Sequence, residues 1–247
     1  MKTQNNTILI IGGSAGIGLA IAEKLNVKGN KIIITGRNQE RLDEALKTLP
    51  GASAFRADIS NEFDTLELLN YIKAGFPKLN MVINNAGQAY KYDIAASENA
   101  YDMALDEITT NYLAIVRLNE LVLPLLRDQD QAAIVNVSSV VAFLPGQLTT
   151  YSASKAALHS YTQSLRIALE RTSRVKVFEL MPPLVNTTFS ASINGHNGIP
   201  PTQVADEFLK ALEDDVYEIR VGNTQAIFDL YLKSPEQALA VMNPTGK

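Results

Sequence analysis

The residues best suited to acid–base chemistry are a tyrosine and a lysine four positions apart. Tyr151 and Lys155 fall in a segment with a helical pattern, so their side chains can share one face. A phenol of ordinary pKa, about 10, is a poor base near neutrality. A nearby ammonium favours the phenolate and lowers that pKa. The pair could therefore exchange a proton with a carbonyl or an alcohol.

Serine and asparagine side chains precede this pair along the chain. Ser138 and Ser139 close a predicted strand, and Asn111 lies in a predicted helix. A serine hydroxyl beside the tyrosine can hold a substrate oxygen, and Asn111 could anchor waters that resupply protons. A tyrosine and a lysine at this spacing are common in proteins. Their position directly after a serine-bearing strand is what makes the pattern informative.

The elements that must position these groups alternate between strand and helix. The predicted strands are short and mostly apolar on both faces, as in a parallel sheet covered by helices. They are Thr7–Ile11, Lys31–Thr35, Ala52–Arg56, Met81–Asn84, Ala133–Val137, Val175–Leu180 and Glu218–Val221. The predicted helices are Ile17–Leu25, Gln39–Thr48, Phe63–Lys73, a long region from Ser97 to Leu126, Tyr151–Leu169 and Thr202–Leu212. This alternation predicts a doubly wound α/β sheet. No linker divides residues 1–247, so we expect a single domain.

A glycine-rich turn follows the first predicted strand and opens the first helix. Glycine is needed where the backbone takes positive φ or lies against a pyrophosphate, and a helix N-terminus offers N–H groups to phosphate. The spacing Gly-x-x-x-Gly-x-Gly differs from the Gly-x-Gly-x-x-Gly fingerprint, but its strand–helix context favours a dinucleotide site. The residues assigned to that site are Gly12, Ser14, Ala15, Gly16, Ile17 and Gly18. The positive charge of a bound oxidised nicotinamide would reinforce the effect of Lys155 on Tyr151.

The end of the second predicted strand bears on the choice of cofactor. An acidic side chain there would bond the adenosine ribose of NAD, whereas an arginine can receive the 2′-phosphate of NADP. The sequence has Arg37 at this turn, and guanidinium–phosphate pairing is strong and directional. Arg37 therefore favours NADP(H) over NAD(H); the alternative is a solvated loop arginine without that role.

Composition and charge argue against several classes of binding partner. The net charge of −4, without a dense basic run, argues against nucleic acid. Cysteine is absent, which excludes disulfides and thiolate metal sites, and His159 and His196 lack an acidic partner motif, so no metal site is predicted. No apolar run approaches the roughly 20 residues of a transmembrane helix, and no signal peptide is evident. We expect a soluble, cytoplasmic protein that acts on a small molecule.

Together these motifs resemble those of the single-domain short-chain dehydrogenase/reductase family, over nearly the whole chain. The glycine pattern, the run Asn84-Asn85-Ala86-Gly87, the serine and the Tyr151-x-x-x-Lys155 pair occur in the family's order. The resemblance implies a Rossmann-type sheet of seven strands, NAD(P)-dependent hydride transfer and a homodimer or homotetramer. It also implies a catalytic tetrad, here Asn111, a serine, Tyr151 and Lys155. Within the family, residues 142–145, 159–165 and 182–185 are similar to the DltE-type bacterial oxidoreductases.

The same resemblance implies contacts with the cofactor. Asp58, followed by Ile59, would meet the adenine, and Lys155, next to Tyr151, would bond the nicotinamide ribose. Val185 and Thr187 would contact the nicotinamide carboxamide and the phosphates. The remaining implied contacts are Asn85, Ala86 and Gly87 beside the adenosine ribose, and Pro182 after the sixth strand.

The sequence departs from the family pattern at three points. Ile11 replaces a threonine whose hydrogen bond would brace the glycine turn, and Pro183 replaces a glycine. The spacing to Tyr151 selects Ser138 as the catalytic serine, whereas the strand-end pattern selects Ser139. A one-residue deletion in the following loop would reconcile the two, and we assign Ser139.

The loop after the sixth strand and the C-terminal stretch carry no diagnostic motif. Thr187–Pro201 could be a substrate lid or a plain surface connection, and the C-terminal stretch Phe228–Met242 is expected to help shape the pocket. His159 has no task in the tetrad and is expected to be a packed or interface residue. A cofactor-binding sensor without turnover is the alternative to an enzyme, although a sensor would not need the acid–base set.

Overall fold

The computed structural model describes residues 1–96 and 99–244, and in them a parallel sheet has the strand order β3-β2-β1-β4-β5-β6-β7. The strands are β1 (Thr7–Ile11), β2 (Lys31–Gly36), β3 (Ser53–Arg56), β4 (Met81–Asn84), β5 (Ala132–Val137), β6 (Val175–Met181) and β7 (Glu218–Arg220). The predicted Rossmann-type sheet is confirmed. Its order reverses between β1 and β4, where open α/β sheets bind ligands at the carboxyl ends of their strands.

Burial explains why the central strands could be predicted so closely. Residues Ile8–Ile11 of β1 and all of β4 are buried, because helices cover both faces of the sheet. Such strands appear in the sequence as continuous apolar runs. The predicted bounds match for β1 and β4, and the other strands differ from prediction by one residue at one end.

The helices follow the strands in the predicted alternation. They are α1 (Gly16–Val27), α2 (Gln39–Leu46), α3 (Glu62–Gly75), α4 (Ala100–Ile108), α5 (Ala114–Arg127), α6 (Thr149–Glu170), α7 (Pro201–Glu213), α8 (Thr224–Lys233) and α9 (Pro235–Met242). The last two were not predicted as helices. Ser97, the predicted start of the long helical region, lies outside the described residues.

The long helical region differs from the prediction in one respect that matters for the site. A π-helical turn, Thr109–Leu113, separates α4 from α5. Such turns insert one extra residue into a helix and occur often at functional sites. Hydrophobic periodicity does not reveal a single added residue, so the sequence predicted one uninterrupted helix. The turn carries Asn111, which is completely buried.

Buried asparagines fix α5 and α6 to the middle of the sheet. Asn84 at the end of β4 donates to Asn119 of α5 at 2.9 Å and to Asn136 of β5 at 2.8 Å. Asn136 in turn donates to Thr162 of α6 at 2.9 Å. A buried polar group left without a partner costs about 1–3 kcal/mol. The network therefore favours one position for the helices that carry Asn111 and Tyr151.

In the part of the chain that the structure describes, no helix is both long and apolar enough to cross a membrane.

Candidate active site

The glycine turn after β1 is held by its neighbours. The N–H groups of Gly12 and Gly13 both donate to the Thr35 carbonyl, at 2.9 and 3.1 Å. The Asn85 amide donates to the Gly12 carbonyl at 2.9 Å. These bonds brace the turn although Ile11 has no side-chain hydrogen bond to offer. Asn85, expected beside the adenosine ribose, has this bracing role in the structure.

Glycine is required in this turn by space as well as by conformation. Gly12 has a φ of 75°, and a Cβ there would lie 2.9 Å from the Ala86 Cα. A Cβ on Gly18 would lie 2.3 Å from the Gly12 carbonyl oxygen and 2.6 Å from the Asn85 amide nitrogen. Real Cβ atoms do not approach other atoms so closely. The turn can therefore keep this shape only with glycine at both positions.

The first turn of α1 fits the pyrophosphate of a dinucleotide. Its N-cap residue, Ala15, makes no capping hydrogen bond, and the first turn contains no acidic residue. Its backbone N–H groups and the positive end of the helix dipole are therefore suited to bind an anion. Ser14 lies beside Gly36 at the end of β2, Gly16 faces Thr187, and Ile17 packs against the core.

Arg37 lies after β2, where the adenosine end of a dinucleotide would lie. Its side chain is 62% exposed, and its nearest carboxylate oxygen, on Asp58, is 3.9 Å away. It also donates to the Gln88 side chain at 3.3 Å. An exposed pair at this distance contributes little to stability. The guanidinium is therefore available to an anion.

Asp58 and Ile59 follow β3 at the same edge of the sheet. One Asp58 carboxylate oxygen accepts from the N–H and the hydroxyl of Ser60, at 2.9 and 2.7 Å. The other oxygen is the one that faces Arg37. Ile59 is buried in the core cluster on one face of the sheet. Its side chain therefore packs in the core, which leaves only its backbone for a cofactor.

Tyr151 and Lys155 come together with the end of β5. The Lys155 ammonium lies 5.7 Å from the centre of the Tyr151 ring and donates to the Val137 carbonyl at 2.8 Å. Lys155 is only 3% exposed. Burial lowers its pKa to about 8, and the Glu179 carboxylate acts in the opposite direction. Its charge is therefore sensitive to its neighbours near neutral pH.

The two candidate serines face different partners. The Ser139 hydroxyl is within hydrogen-bonding reach of the Tyr151 phenol, where it favours the phenolate. The Ser138 hydroxyl instead donates to the buried carboxylate of Glu179. Ser139, the serine that the strand-end pattern selects, therefore lies beside the tyrosine, and its catalytic role stays a prediction. Counting residues back from Tyr151 leads to the serine that faces Glu179.

The pKa of Tyr151 is shifted upward in the structure, whereas the Lys155 ammonium is expected to lower it. Burial raises the pKa of the phenol, and the Glu107 carboxylate adds to that rise. From the sequence alone, the ammonium and a nicotinamide charge are expected to lower this pKa. In the structure, desolvation by burial is the largest influence on this pKa, and it acts in the opposite direction. Tyr151 is therefore a neutral phenol near pH 7, the form that can donate a proton.

Asn111 connects the π turn to the loop after β4. Its amide oxygen accepts from the Gln88 N–H at 2.8 Å, and its amide nitrogen donates to the Gln88 carbonyl at 2.8 Å and to the Ser154 hydroxyl at 2.9 Å. A Cβ on Gly87 would lie 3.3 Å from the Asn111 oxygen and 3.8 Å from the Lys155 nitrogen. Gly87 thus faces both side chains. The structure brings Asn111, Tyr151 and Lys155 to one site.

The segment after β6 covers this site. Val185 is buried and forms a β-bridge with Ile199, and the Pro182 carbonyl accepts from Val140. The predicted excursion, residues 187–201, contains two 3₁₀ turns, Thr188–Ile193 and Gly195–Asn197. Phe189 in the first turn lies with its ring centre 6.0 Å from that of Tyr151. This segment is therefore folded against the tyrosine.

The C-terminal stretch also approaches the site. Phe228 of α8 packs edge-on against Phe143, with ring centres 5.1 Å apart, and Asn243 after α9 donates to the Pro145 carbonyl at 2.9 Å. Residues 143–145 lie in the connection from β5 to α6. The expected contribution of Phe228–Met242 to the pocket is consistent with these contacts.

Sequence reasoning missed three polar residues near the site. Gln88 links Arg37 to Asn111. Glu107 is fully buried and accepts from the Tyr90 N–H at 2.8 Å. Glu179 is a charged residue inside an apolar strand run, and that pattern could have been noticed because buried carboxylates are rare. The other two lie in ordinary polar contexts that gave no signal.

No group of histidine, aspartate and glutamate suited to a metal ion occurs within residues 1–96 and 99–244.

Comparison with known proteins agrees with the class that the fold and site define, a dinucleotide-binding α/β oxidoreductase. A family model described as short chain dehydrogenase matches residues 6–198. The chain belongs to the short-chain dehydrogenase/reductase family. It is 36% identical to the uncharacterized oxidoreductase DltE of Bacillus subtilis (strain 168), over 98% of both chains. It is 32% identical to an uncharacterized oxidoreductase of Staphylococcus aureus (strain USA300), over 83% of this chain and 89% of that one.

Solved structures support the same assignment. A short chain dehydrogenase from Burkholderia cenocepacia J2315, in complex with NADP, is 26% identical with a TM-score of 0.85, and the match covers 100% of both chains. A short chain dehydrogenase/reductase from Burkholderia phymatum, in complex with NAD, has a TM-score of 0.87 at 22% identity, covering 100% of this chain and 99% of that chain. The second likeness concerns the fold alone.

The crowding at Gly18 leads to a prediction about cofactor affinity. We expect Gly18→Ala to weaken binding of a reduced nicotinamide dinucleotide by about tenfold or more, because relieving the clash with the Gly12 carbonyl must displace the turn, and overpacking of this kind costs about 1–3 kcal/mol. Titration of NADPH fluorescence measures the affinity. Gly75→Ala is the matched control, since a Cβ there meets nothing within 4 Å. Equal affinities in the two variants would contradict this role for the turn.

Proposed function

We propose that the protein is an NADP(H)-dependent oxidoreductase of small carbonyl and alcohol compounds, with Tyr151 as its acid–base residue. The observation that carries the proposal is the convergence of Ser139, Tyr151 and Lys155 at the carboxyl end of β5, beside the loop after β4 that contacts the glycine turn. Bound nicotinamide would supply or accept the hydride. The chain's own residues would bind and orient the substrate and protonate its carbonyl oxygen.

Tyr151 and Ser139 have complementary tasks in this proposal. The Ser139 hydroxyl holds the carbonyl oxygen of the substrate next to the phenol. The Tyr151 phenol then donates its proton to that oxygen as the carbonyl carbon is reduced. Burial raises the pKa of Tyr151, so the proton is present at neutral pH. This state favours reduction, and alcohol oxidation would gain rate as the pH rises.

Lys155 and Asn111 assist the tyrosine. The ammonium of Lys155 lies close enough to stabilise the phenolate left after proton transfer. In the cofactor complex it would also bond the nicotinamide ribose. Asn111 bonds both Gln88 and Ser154, so its position relative to Lys155 is fixed. It would anchor the waters that return a proton to the site.

The cofactor contacts extend along the same edge of the sheet. The backbone from Gly12 to Gly18 would hold the pyrophosphate and Arg37 the 2′-phosphate; the absence of an acidic residue at the end of β2 supports NADP. Residues 187–201 would act as the substrate lid, with Phe189 over Tyr151. The remaining proposed contacts are Asp58, Ile59, Asn85, Ala86, Gly87, Pro182, Val185 and Thr187. We also propose a homodimer or homotetramer in the cytoplasm.

Tyr151→Phe tests the central role. We expect it to lower kcat for NADPH-dependent reduction by about 10²–10⁴-fold, the usual contribution of general acid catalysis. The assay follows loss of NADPH absorbance with para-nitrobenzaldehyde, ethyl acetoacetate, cyclohexanone and diacetyl. NADPH affinity should be unchanged, because only a hydroxyl is lost. Tyr101→Phe, at an exposed position, is the control.

Two results would contradict this assignment. An unchanged kcat in Tyr151→Phe would remove the acid–base role from Tyr151. Tight NADPH binding by the wild type without turnover of any compound in the panel would favour the sensor.

Arg37→Ala tests the cofactor preference. We expect the affinity for NADPH to fall by about 10- to 100-fold, because a charged hydrogen bond contributes about 1.5–3 kcal/mol, and the affinity for NADH to change little. Both affinities are measured by fluorescence titration. Arg127→Ala, at the end of α5, serves as the control. An equal effect on the two cofactors would show that Arg37 has no 2′-phosphate role.

Replacing each serine tests the assignment of Ser139. We expect Ser139→Ala to lower kcat by about 10²–10³-fold, as when a donor to a reacting oxygen is removed. Ser138→Ala should lower it less, because that hydroxyl donates to Glu179. Steady-state kinetics with the best substrate of the panel measures both. A larger loss in Ser138→Ala would reverse the assignment.

A further inference from the structure

A carboxylate that the proposed mechanism does not use is buried on β6, the strand next to the one whose end binds Lys155. Glu179 lies in the middle of β6, between Phe178 and Leu180, and its side chain is 0% exposed. Charged side chains are almost never buried so completely unless they are paired. We refer to Glu179, Ser138 and His159 as the Glu179 cluster.

The partners of Glu179 come from β5 and α6. The Ser138 hydroxyl donates to one carboxylate oxygen, and His159 Nδ1 lies 2.9 and 2.8 Å from the two oxygens. The imidazole is itself 18% exposed. The carboxylate is thus hydrogen-bonded from two sides, and its histidine partner is close enough to solvent to exchange protons.

The cluster is connected to Lys155 through both of these elements. His159 follows Lys155 by one turn of α6. Ser138 directly follows Val137, whose carbonyl accepts the Lys155 ammonium at 2.8 Å. Glu179 is the charged group whose field acts on Lys155, and it opposes the effect of burial. In a low-dielectric interior such a field is far stronger than in water.

The other charged groups around the cluster largely offset one another. From β7, Glu218 raises the pKa of His159 and Arg220 lowers it. These two residues are paired with each other, and Arg166 of α6 lies 3.4 Å from Glu218. The hydrogen bond to Glu179 has the largest effect on His159 and raises its pKa. Glu179 therefore has the largest effect on the pKa of His159 and is the charged group that opposes burial at Lys155.

We propose that Glu179 is a positioning residue that keeps Lys155 charged, and that His159 adjusts its strength. This inference rests on the proposed function, in which the Lys155 ammonium assists Tyr151. With His159 neutral, the full negative charge of Glu179 supports the ammonium. With His159 protonated, the pair is neutral overall and that support is weaker. Ser138 holds the carboxylate in place and so links it to the strand end that bears Ser139.

The consequence for the reaction is a dependence on pH. The pKa of Lys155 is lowered to about 8, so the ammonium is lost as the pH rises through that value. Without the Glu179 charge the same loss would occur at lower pH. Activity that needs the ammonium would then decline within the physiological range. A buried residue with only a packing role would have no such effect on the pH profile.

Glu179→Gln tests the inference, because it keeps the shape and removes the charge. We expect the alkaline midpoint of kcat/KM for NADPH-dependent reduction to lie near pH 8 in the wild type and to fall by about one pH unit in the variant, a loss of about tenfold above the midpoint. Glu170→Gln, at an exposed position at the end of α6, is the control and should leave the midpoint in place. An unmoved midpoint in a folded Glu179→Gln protein would overturn the inference.

His159→Gln is the second variant, for use even if Glu179→Gln does not fold. It keeps the carboxylate and removes the titrating partner, so its alkaline midpoint should equal or exceed that of the wild type. A lower midpoint would overturn the inference.

Two further measurements do not need turnover. The chain has only two histidines, His159 and His196, so their titrations can be resolved by NMR. The pKa of His159, which the hydrogen bond to Glu179 raises in the wild type, should be lower in Glu179→Gln. In the proposed complex Lys155 bonds the nicotinamide ribose. The alkaline midpoint of NADPH affinity, followed by fluorescence, should therefore be lower in Glu179→Gln than in the wild type. If the wild type binds NADPH but reduces none of the test compounds, the proposed function fails while these measurements still decide the role of Glu179. Unchanged values in both would overturn that role.

Discussion

The constraint on which the rest of the site depends is the burial of a lysine ammonium at the end of a parallel sheet. Lys155 is 3% exposed, and its nitrogen has a backbone carbonyl, that of Val137, as a close partner. An isolated buried charge is very costly unless neighbours stabilise it. The surrounding residues can be understood from this requirement. Gly87 leaves room for the ammonium, Asn111 places an amide nearby, and Glu179 supplies the opposite charge.

The sheet meets this requirement through its own geometry. Carboxyl ends of parallel strands share one edge, so β4 and β5 bring Gly87 and Val137 together although the sequence separates them widely. The buried asparagine bonds from Asn84 to α5 and α6 then fix the height of both helices. Tyr151 and Asn111 are thereby brought to the same site, with Ser154 hydrogen-bonded to both residues. Core packing and site geometry are consequences of the same contacts.

The sequence allowed much of this to be predicted, and the misses have physical causes. Buried strands such as β4 are visible as apolar runs, and Tyr151 and Lys155 share a face because helices repeat at a fixed period. The π turn at Asn111 adds one residue to a turn, which periodicity does not register. The hydrogen bond from Asn85 to Gly12 joins the ends of two strands that are neighbours in the sheet but far apart in the sequence. The rise in the pKa of Tyr151 depends on burial, which the order of residues does not express.

The protonation states within the site follow from burial acting on groups of opposite charge type. Desolvation disfavours the charged form, so it raises the pKa of Tyr151 and lowers that of Lys155. The first effect keeps the phenol protonated, as a proton donor must be. The second effect, left alone, would neutralise the ammonium that the resulting phenolate needs. A buried carboxylate such as Glu179 opposes only the second effect at Lys155, which is why a charged residue within an apolar strand is physically consistent with this site.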